Sequence, residues 1–362
     1  MDGGERMIPE LIMITVGIIF IILGIKYKME PLLLVPIGFA SILVNIPGSE
    51  LALPEGIGNV VHWIFSELIA TEVVPCLIFF CLGAMTDFGP LISNPKTFII
   101  GAAAQLGVAV AFVLAMLIGF TPLQAASIGI IGGADGPTTI FLTTSLAPEI
   151  LGATAVAAYS YMSLVPIIQP PVAMALTTKG ERKIRMKKPR DVNKREKIIF
   201  PILLTIVAGF VVPASLPLIG LLLFGNLLRE SGVTERLSKT AENDFMNILT
   251  ILLGLGIGGT MMAEAFLTLQ TLEIIALGAF AFVCSTAGGV LIVKLMNLFV
   301  REKINPLIGC AGVSAVPMSA RVAQTLAARE DRQNYILMHA MGPNVAGVIG
   351  TAMSAGLFLQ FL

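Results

Sequence analysis

The sequence predicts an all-α, polytopic membrane protein of about nine to eleven transmembrane helices. Three observations carry this. Of 362 residues, 56% are hydrophobic and only 13% are charged, about half the charged share of a soluble domain. The mean hydropathy is +0.90. Apolar runs of about 20 residues, the length a helix needs to cross the hydrocarbon core, recur from end to end. The alternating segments of about 10 residues that mark a membrane β-barrel are not visible.

The runs place spans near residues 8–26, 30–46, 68–86, 97–120, 122–147, 149–176, 199–225, 245–268, 272–299, 303–329 and 333–361. The first is too long, and too weakly basic at its start, for a cleaved signal peptide. The stretch 226–243 holds Arg229, Glu230, Glu235, Arg236, Lys239 and Glu242 and is too charged to cross. Between Lys179 and Lys197 lie 10 of the 23 basic residues. The positive-inside rule puts that loop in the cytoplasm, as a solvated loop or a docking surface for a soluble partner. The expected organisation is N-terminal helices (1–74), a first repeat with a broken helix (75–176), the basic loop (177–198), connecting helices (199–243) and a second repeat with a broken helix (244–362).

Composition also excludes functions. The formal net charge is zero, which leaves no electrostatic footprint for nucleic acid. Cys76, Cys81, Cys284 and Cys310 lie inside apolar runs without a Cys-x-x-Cys pair, and the histidines are His62 and His339 alone. A zinc or iron–sulfur centre does not fit.

Two spans are unusual. The 122–147 span contains Gly129, Gly132, Gly133, Asp135, Gly136 and Pro137; the 303–329 span contains Asn305, Pro306, Gly309, Gly312, Ser314, Pro317 and Arg321. Glycine and proline at this density break a helix, and freed backbone at membrane depth is tolerated only beside protein or water. The two also match each other. Ile128, Gly129, Gly132 and Pro137 pair with Ile308, Gly309, Gly312 and Pro317 at a constant offset of 180. Paired, glycine-interrupted segments in two halves point to a transport site at a repeat interface. Four whole spans between them make the repeat inverted, with Pro213 and Pro217 in 199–225 the weak point of that count.

Asp135 is the sharpest single feature. A carboxylate at the helix centre costs about 2.5–3.5 kcal/mol on insertion scales. Here it precedes Gly136-Pro137-Thr138-Thr139; Pro137 lacks an N–H and disfavours helical geometry before it. Free carbonyls and two hydroxyls next to one carboxylate form an oxygen set that suits a hard, monovalent cation such as Na⁺. The plain alternative is an aspartate capping a half-helix that begins near Thr138. Arg321 is a permanent charge that either pairs with Asp135 or receives a carboxylate substrate. Tyr159 and Tyr161 are structural anchors or proton donors, and Asn344 is an uncharged oxygen donor beside a second glycine–proline break.

Four stretches together resemble one family: Gly132-Gly133-Ala134-Asp135-Gly136-Pro137-Thr138; Asn305-Pro306-Leu307-Ile308-Gly309; Ser314-Ala315-Val316-Pro317 with Arg321; and Met338 to Gly347. It is the β subunit of the sodium-pumping biotin-dependent decarboxylases, and the likeness covers essentially the whole chain. The resemblance implies a multi-pass subunit in the cell inner (plasma) membrane, a homo-oligomer in lipid. It would decarboxylate carboxybiotin, consume a proton and export Na⁺. The implied partners are a biotin-carrying carboxyltransferase α subunit, which delivers the carboxybiotin, and a small γ subunit. Carried over, Asp135, Asn305, Ser314, Asn344 and Gly309 would bind Na⁺ or shape its path. Tyr161 would handle a proton, Arg321 would meet the carboxylate, and Asn305 and Ser314 would help to hold the biotin end. Met186-Lys187-Lys188 is not a Met-Lys-Met biotinyl motif, so biotin arrives on another subunit. Oxaloacetate, methylmalonyl-CoA, glutaconyl-CoA and malonate all remain open as the acid. The competing reading is a Na⁺-coupled secondary transporter, exchanging Na⁺ for protons or an organic anion without decarboxylase chemistry. A membrane anchor without transport fits the broken spans poorly.

Overall fold

In the computed structural model the described residues are 3–56 and 58–362, so residues 1–2 of the expected N-terminal segment lie outside them. Among these residues the protein is all-helical. Five helices are long and apolar enough to cross a membrane: Met7–Tyr27, Thr97–Ile118, Pro148–Leu176, Leu269–Phe299 and Leu337–Phe361. A sixth crossing forms if the bent pair Val60–Ile69 and Val73–Met85 is taken as one span. The protein is therefore a multi-pass membrane protein.

The first half begins with α1 (Gly3–Tyr27) and α2 (Pro31–Asn45). Helix α3 (Val60–Trp63) continues as a π turn over Ile64–Ile69 and meets α4 (Val73–Met85) at 66°. Glu72 makes that corner in a left-handed conformation, φ 65°. Next come α5 (Gly89–Ser93), α6 (Thr97–Ala104), α7 (Leu106–Ile118), α8 (Pro122–Gly129), α9 (Gly136–Leu146) and α10 (Leu151–Leu176). The second half holds α11 (Lys179–Arg182), α12 (Lys194–Val211), α13 (Leu216–Ser231), α14 (Glu235–Thr240), α15 (Met246–Gly259), α16 (Ala263–Phe266), α17 (Leu269–Phe299), α18 (Met318–Glu330) and α19 (Leu337–Phe361). A π turn over Ala241–Phe245 leads into α15, and 3₁₀ segments cover Ile130–Gly133 and Pro306–Gly312.

The order of elements recurs. A first pair of helices, a π turn and a following helix, a long crossing, a 3₁₀ break with a half-helix, and a closing long helix appear in both halves. The packing is exchanged in the same way: α4 lies against α13, and α15 against α2. These elements form one group of helices. The other gathers α6 to α10 with α17 to α19. Close backbone approach holds the second group together. A Cβ on Gly309 would stand 2.1 Å from the Gly289 carbonyl oxygen, and one on Gly107 2.2 Å from that of Ala281. Small residues at helix contacts serve this purpose where lipid supplies no hydrophobic drive between helices.

Three expected spans take another form. The 199–225 run is cut at Pro213 into α12 and α13, which pack on each other. The 122–147 and 303–329 runs are not single helices; each is a hairpin that turns back at a 3₁₀ break. Gln124 Nε2, at the entry of the first, donates to Glu149 Oε1 beyond its exit at 2.9 Å. At the second, Arg182 gathers both ends. Its carbonyl accepts from Asn305 Nδ2 at 2.9 Å, and its guanidinium pairs with Glu330 at 2.8 Å. Helix α10 connects the two mouths. Its 26 residues span about 39 Å at 1.5 Å per residue, a full bilayer. The two mouths therefore lie at opposite ends of α10. Each hairpin contains a helix-length run of apolar residues, so composition alone cannot tell a crossing from a return.

The mouth of the second hairpin is strapped by the basic loop. Asn305 Nδ2 and Asn334 Nδ2 both donate to the carbonyls of Arg182 and Ile184, at 2.9 to 3.2 Å. Arg185 pairs with Asp331 at 2.8 Å, and Lys294 with Glu181 at 3.2 Å.

Candidate functional site

The tips of the two hairpins meet. Ser314 N–H donates to the Gly133 carbonyl at 2.9 Å, and Ser314 Oγ lies 3.5 Å from the carbonyl of Ala134. Ala134 and Ser314 are themselves separated by the 180-residue offset. In the first tip, the 3₁₀ segment ends at Ala134, whose φ of 54° and ψ of 46° are left-handed. For a residue with a Cβ this costs roughly 1–2 kcal/mol. Strain of this kind gathers where surrounding structure enforces a functional geometry.

Asp135 follows, with extended backbone, as the N-cap of α9. Its Oδ1 accepts the Thr138 N–H at 3.1 Å, and its carbonyl accepts from Thr139 Oγ1 at 2.8 Å. The capping alternative from sequence is thus present, with the helix starting at Gly136. Pro137 sits at the second helical position, where the missing N–H would have been unpaired anyway. The helix N-terminus favours the carboxylate.

Capping does not exhaust the site. Asp135 is only 4% exposed, and no ion pair reaches it among the described residues. A small cavity of about 40 Å³ opens beside it, lined by Asp135, Pro137, Met162, Ser314 and Val345 from one helix group and by Leu82, Thr86, Phe88 and Leu222 of the segments around α4 and α13. Asp135 is the one charged residue in that lining. The break therefore lies in the seam between the two groups. Around it, three buried side-chain oxygens have no hydrogen-bond partner: Thr138 Oγ1, Tyr159 Oη and Asn344 Oδ1. Burying an unpaired polar group costs about 1–3 kcal/mol. Several at one locus, beside a lone carboxylate, form an oxygen set of the kind a hard cation takes.

The other expected residues are placed as follows. Asn344 is fully buried, and its Nδ2 donates to the Val313 carbonyl at 2.7 Å. Its amide nitrogen is thus spent on the second tip, while its oxygen has no partner. Asn305 is also fully buried, but its Nδ2 is spent on Arg182 and Ile184, and its Oδ1 accepts the Leu307 N–H at 3.0 Å. It acts here as a cap and a strap. Gly309 gives the close backbone approach expected of it, toward Gly289 of α17.

Arg321 is exposed on α18. Among the described residues its guanidinium has no partner, so the pairing with Asp135 considered from sequence does not form.

The tyrosines divide. Tyr161 Oη donates to the Ile275 carbonyl of α17, and its ring lies on Gly278. Tyr159 instead faces the break: a Cβ on Gly136 would lie 2.8 Å from its hydroxyl oxygen. Two residues along an α-helix turn a side chain by about 200°, so one of this pair had to point away. The sequence already pointed to both residues: Thr138 as one hydroxyl of the Asp135 oxygen set, and Tyr159, with Tyr161, as an anchor or proton donor. Thr138 lies three residues after Asp135, one turn along the same helix.

With this geometry in hand, comparison with known proteins is decisive. The family model for the Na⁺-transporting oxaloacetate decarboxylase beta subunit matches residues 9–362. The chain belongs to this family. It is 57% identical to the methylmalonyl-CoA decarboxylase subunit beta of Veillonella parvula, over 97% of this chain and 92% of the relative. The glutaconyl-CoA decarboxylase subunit beta of Acidaminococcus fermentans is 56% identical over the same shares. The oxaloacetate decarboxylase beta chain of Klebsiella pneumoniae is 48% identical over 98% of this chain and 95% of its own. Members of this family are β subunits, chains that work with other subunits of a Na⁺-transporting decarboxylase.

Proposed function

We propose that this chain is the membrane subunit of a sodium pump, which releases CO₂ from carboxybiotin, consumes a proton and moves Na⁺ out of the cell. The observation that carries the proposal is the buried Asp135 carboxylate, without a cationic partner, among the unpaired oxygens of Thr138, Tyr159 and Asn344. One negative charge with neutral oxygens balances a monovalent cation. When bound, carboxybiotin supplies a carboxyl group that leaves as CO₂ while its ring nitrogen takes up a proton.

The chain's own residues do the rest. Arg321, exposed and unpaired, offers a planar fork to the carboxylate. Asp135 holds Na⁺ or a proton, which makes occupancy by one exclude the other. Ser314 lines the same cavity and ties the second tip to the first. Tyr159 presents its hydroxyl to the break, whereas Tyr161 fixes α10 against α17 and so positions it. Asn305 and Gly309 shape the second hairpin. The two halves form an inverted repeat in this reading; the recurrent order of elements and the hairpin mouths at opposite ends of α10 support it.

The partners proposed are a carboxyltransferase α subunit carrying biotin, a small γ subunit and further copies of this chain in the plasma membrane. The decisive experiment is Asp135→Asn in the reconstituted complex. Asparagine keeps the shape and can still cap α9, so folding is expected to persist while Na⁺-dependent carboxybiotin turnover and Na⁺ uptake disappear. Normal Na⁺ activation in that variant would reduce Asp135 to a cap and remove the proposal's basis.

A further inference from the structure

Two cavities outside the Asp135 break border the same helices, α6 with α7 and α17, at different levels. Helices α6 and α7, over Thr97–Ile118, run beside α17, and a groove of about 630 Å³ lies between them. It is lined by Ala102, Leu106, Ala109, Gly288, Leu291 and Leu295, among others. Its floor is shallow because the residues there are small: Ala102, Ala109 and Gly288. At the basic-loop end of the same helices a second cavity, of about 800 Å³, is walled by Lys96, Arg185, Lys187, Arg301 and Lys303, with Glu302 as its one carboxylate. Lys96 directly precedes α6, and Arg301 follows the end of α17 by two residues.

The depth of each cavity follows from the helices. Leu295, Leu298 and Phe299 are exposed at the end of α17, as suits a face against hydrocarbon. The cations follow within one turn, at the level where headgroups begin. Arg185 is engaged by Asp331, Lys187 by Glu302, and Lys303 by the Asn297 carbonyl. Lys96 and Arg301 have no partner among the described residues. Between Gly288 and Leu295 the groove runs about 10 Å along α17 at 1.5 Å per residue.

We propose that this pair of cavities binds an anionic phospholipid, with its phosphate in the cationic cavity and one acyl chain in the groove. Charge complementarity selects an anion, and basic pockets between helices on the cytoplasmic side are suited to anionic headgroups. The apolar groove on the same helices selects a lipid over an acidic protein, which would need no slot at hydrocarbon depth. Nothing in the proposed pumping reaction requires this site.

The test uses the complex purified in mild detergent, with native mass spectrometry and extraction of the retained lipid. Phosphatidylglycerol in phosphatidylcholine vesicles serves as the added probe. Wild type is expected to retain the anionic lipid. A Lys96→Gln/Arg301→Gln variant should retain it roughly 10-fold less. Ala109→Phe, at an exposed groove position that carries no charge, should lose it as well, and it carries the test if the double variant fails to fold. Retention of phosphatidylcholine alone, or equal phosphatidylglycerol retention by all three proteins, overturns the proposal. So does displacement of the lipid by millimolar inorganic phosphate, which would make the cavity a free-anion site. Loss of a partner subunit from the double variant, with lipid retained, would assign the cations to an acidic protein and also overturn it.

Discussion

The backbone N–H of Ser314 donates to the carbonyl oxygen of Gly133 at 2.9 Å, so the tip of each hairpin closes a gap in the other. Neither break is free to shift alone. Helix α18, which carries Arg321, begins four residues after Ser314, so a shift of the first tip is passed to it through this contact.

Thr138 Oγ1 is buried without a partner. Thr138→Val keeps the shape and removes only that oxygen. Stability is therefore expected to hold or to rise by up to about 1 kcal/mol, because an unsatisfied group is deleted. The Na⁺ concentration for half-activation is expected to rise several-fold. Thermal unfolding in detergent and Na⁺ titration of turnover check both. An unchanged Na⁺ response would remove Thr138 from the coordination sphere.

The tyrosines give a paired test. Tyr161→Phe removes the hydroxyl that donates to the Ile275 carbonyl, which keeps its own helical donor, with an expected loss of about 1 kcal/mol in stability and little change in Na⁺ half-activation. Tyr159→Phe deletes a hydroxyl that no protein group uses, so it should spare stability and alter the Na⁺ and pH dependence of turnover. The opposite pattern would return the proton role to Tyr161.

Arg321→Lys retains charge and loses the fork. Loss of a bidentate contact to a charged group is worth on the order of 1.5–3 kcal/mol. Carboxybiotin turnover efficiency should thus fall roughly 10- to 100-fold, with the Na⁺ response little changed. Steady-state kinetics with free carboxybiotin across Na⁺ concentrations decides this. A shifted Na⁺ response with normal turnover would argue against the receptor role.

At the surface, burial pushes the Asp87 carboxyl up, but the Lys197 ammonium at 2.9 Å, the Gly89 N–H and Arg229 outweigh it and hold the group below its ordinary 3.8. A folded-state value below the unfolded one stabilises the protein at pH above about 4, and this contribution is lost as pH falls through the folded value. The pair is partly exposed, so screening leaves on the order of 0.5 kcal/mol. Lys197→Gln should lower the unfolding midpoint slightly at pH 6 and leave it unchanged near pH 2. An equal loss at both would show that Lys197 acts through packing.

The long helices were legible because an apolar run of about 20 residues has one physical meaning in lipid. The glycine–proline clusters also marked both tips correctly, since they free the backbone wherever they stand. Sequence could not show that Gln124 would meet Glu149, or that Arg182 would hold both Asn305 and Glu330. Those contacts, between residues as much as 148 positions apart, turn two apparent crossings into hairpins. Asn305 was expected among the ion ligands through the family resemblance alone. Its amide proves to be engaged by a loop more than 100 residues earlier. Arg321 kept both of its readings in the sequence, because an arginine's partner is a matter of tertiary geometry.

The strap at the mouth of the second hairpin has a built-in redundancy. Asn305 and Asn334 donate to the same two carbonyls, those of Arg182 and Ile184, so each oxygen spends both of its lone pairs. With one asparagine lost, each carbonyl still has a donor; with both lost, two oxygens are stranded together. Damage at the two positions is therefore synergistic rather than additive. The mouth can lose either asparagine alone with each carbonyl still paired, and after the paired loss the loop rests on its ion pairs to Glu330 and Asp331.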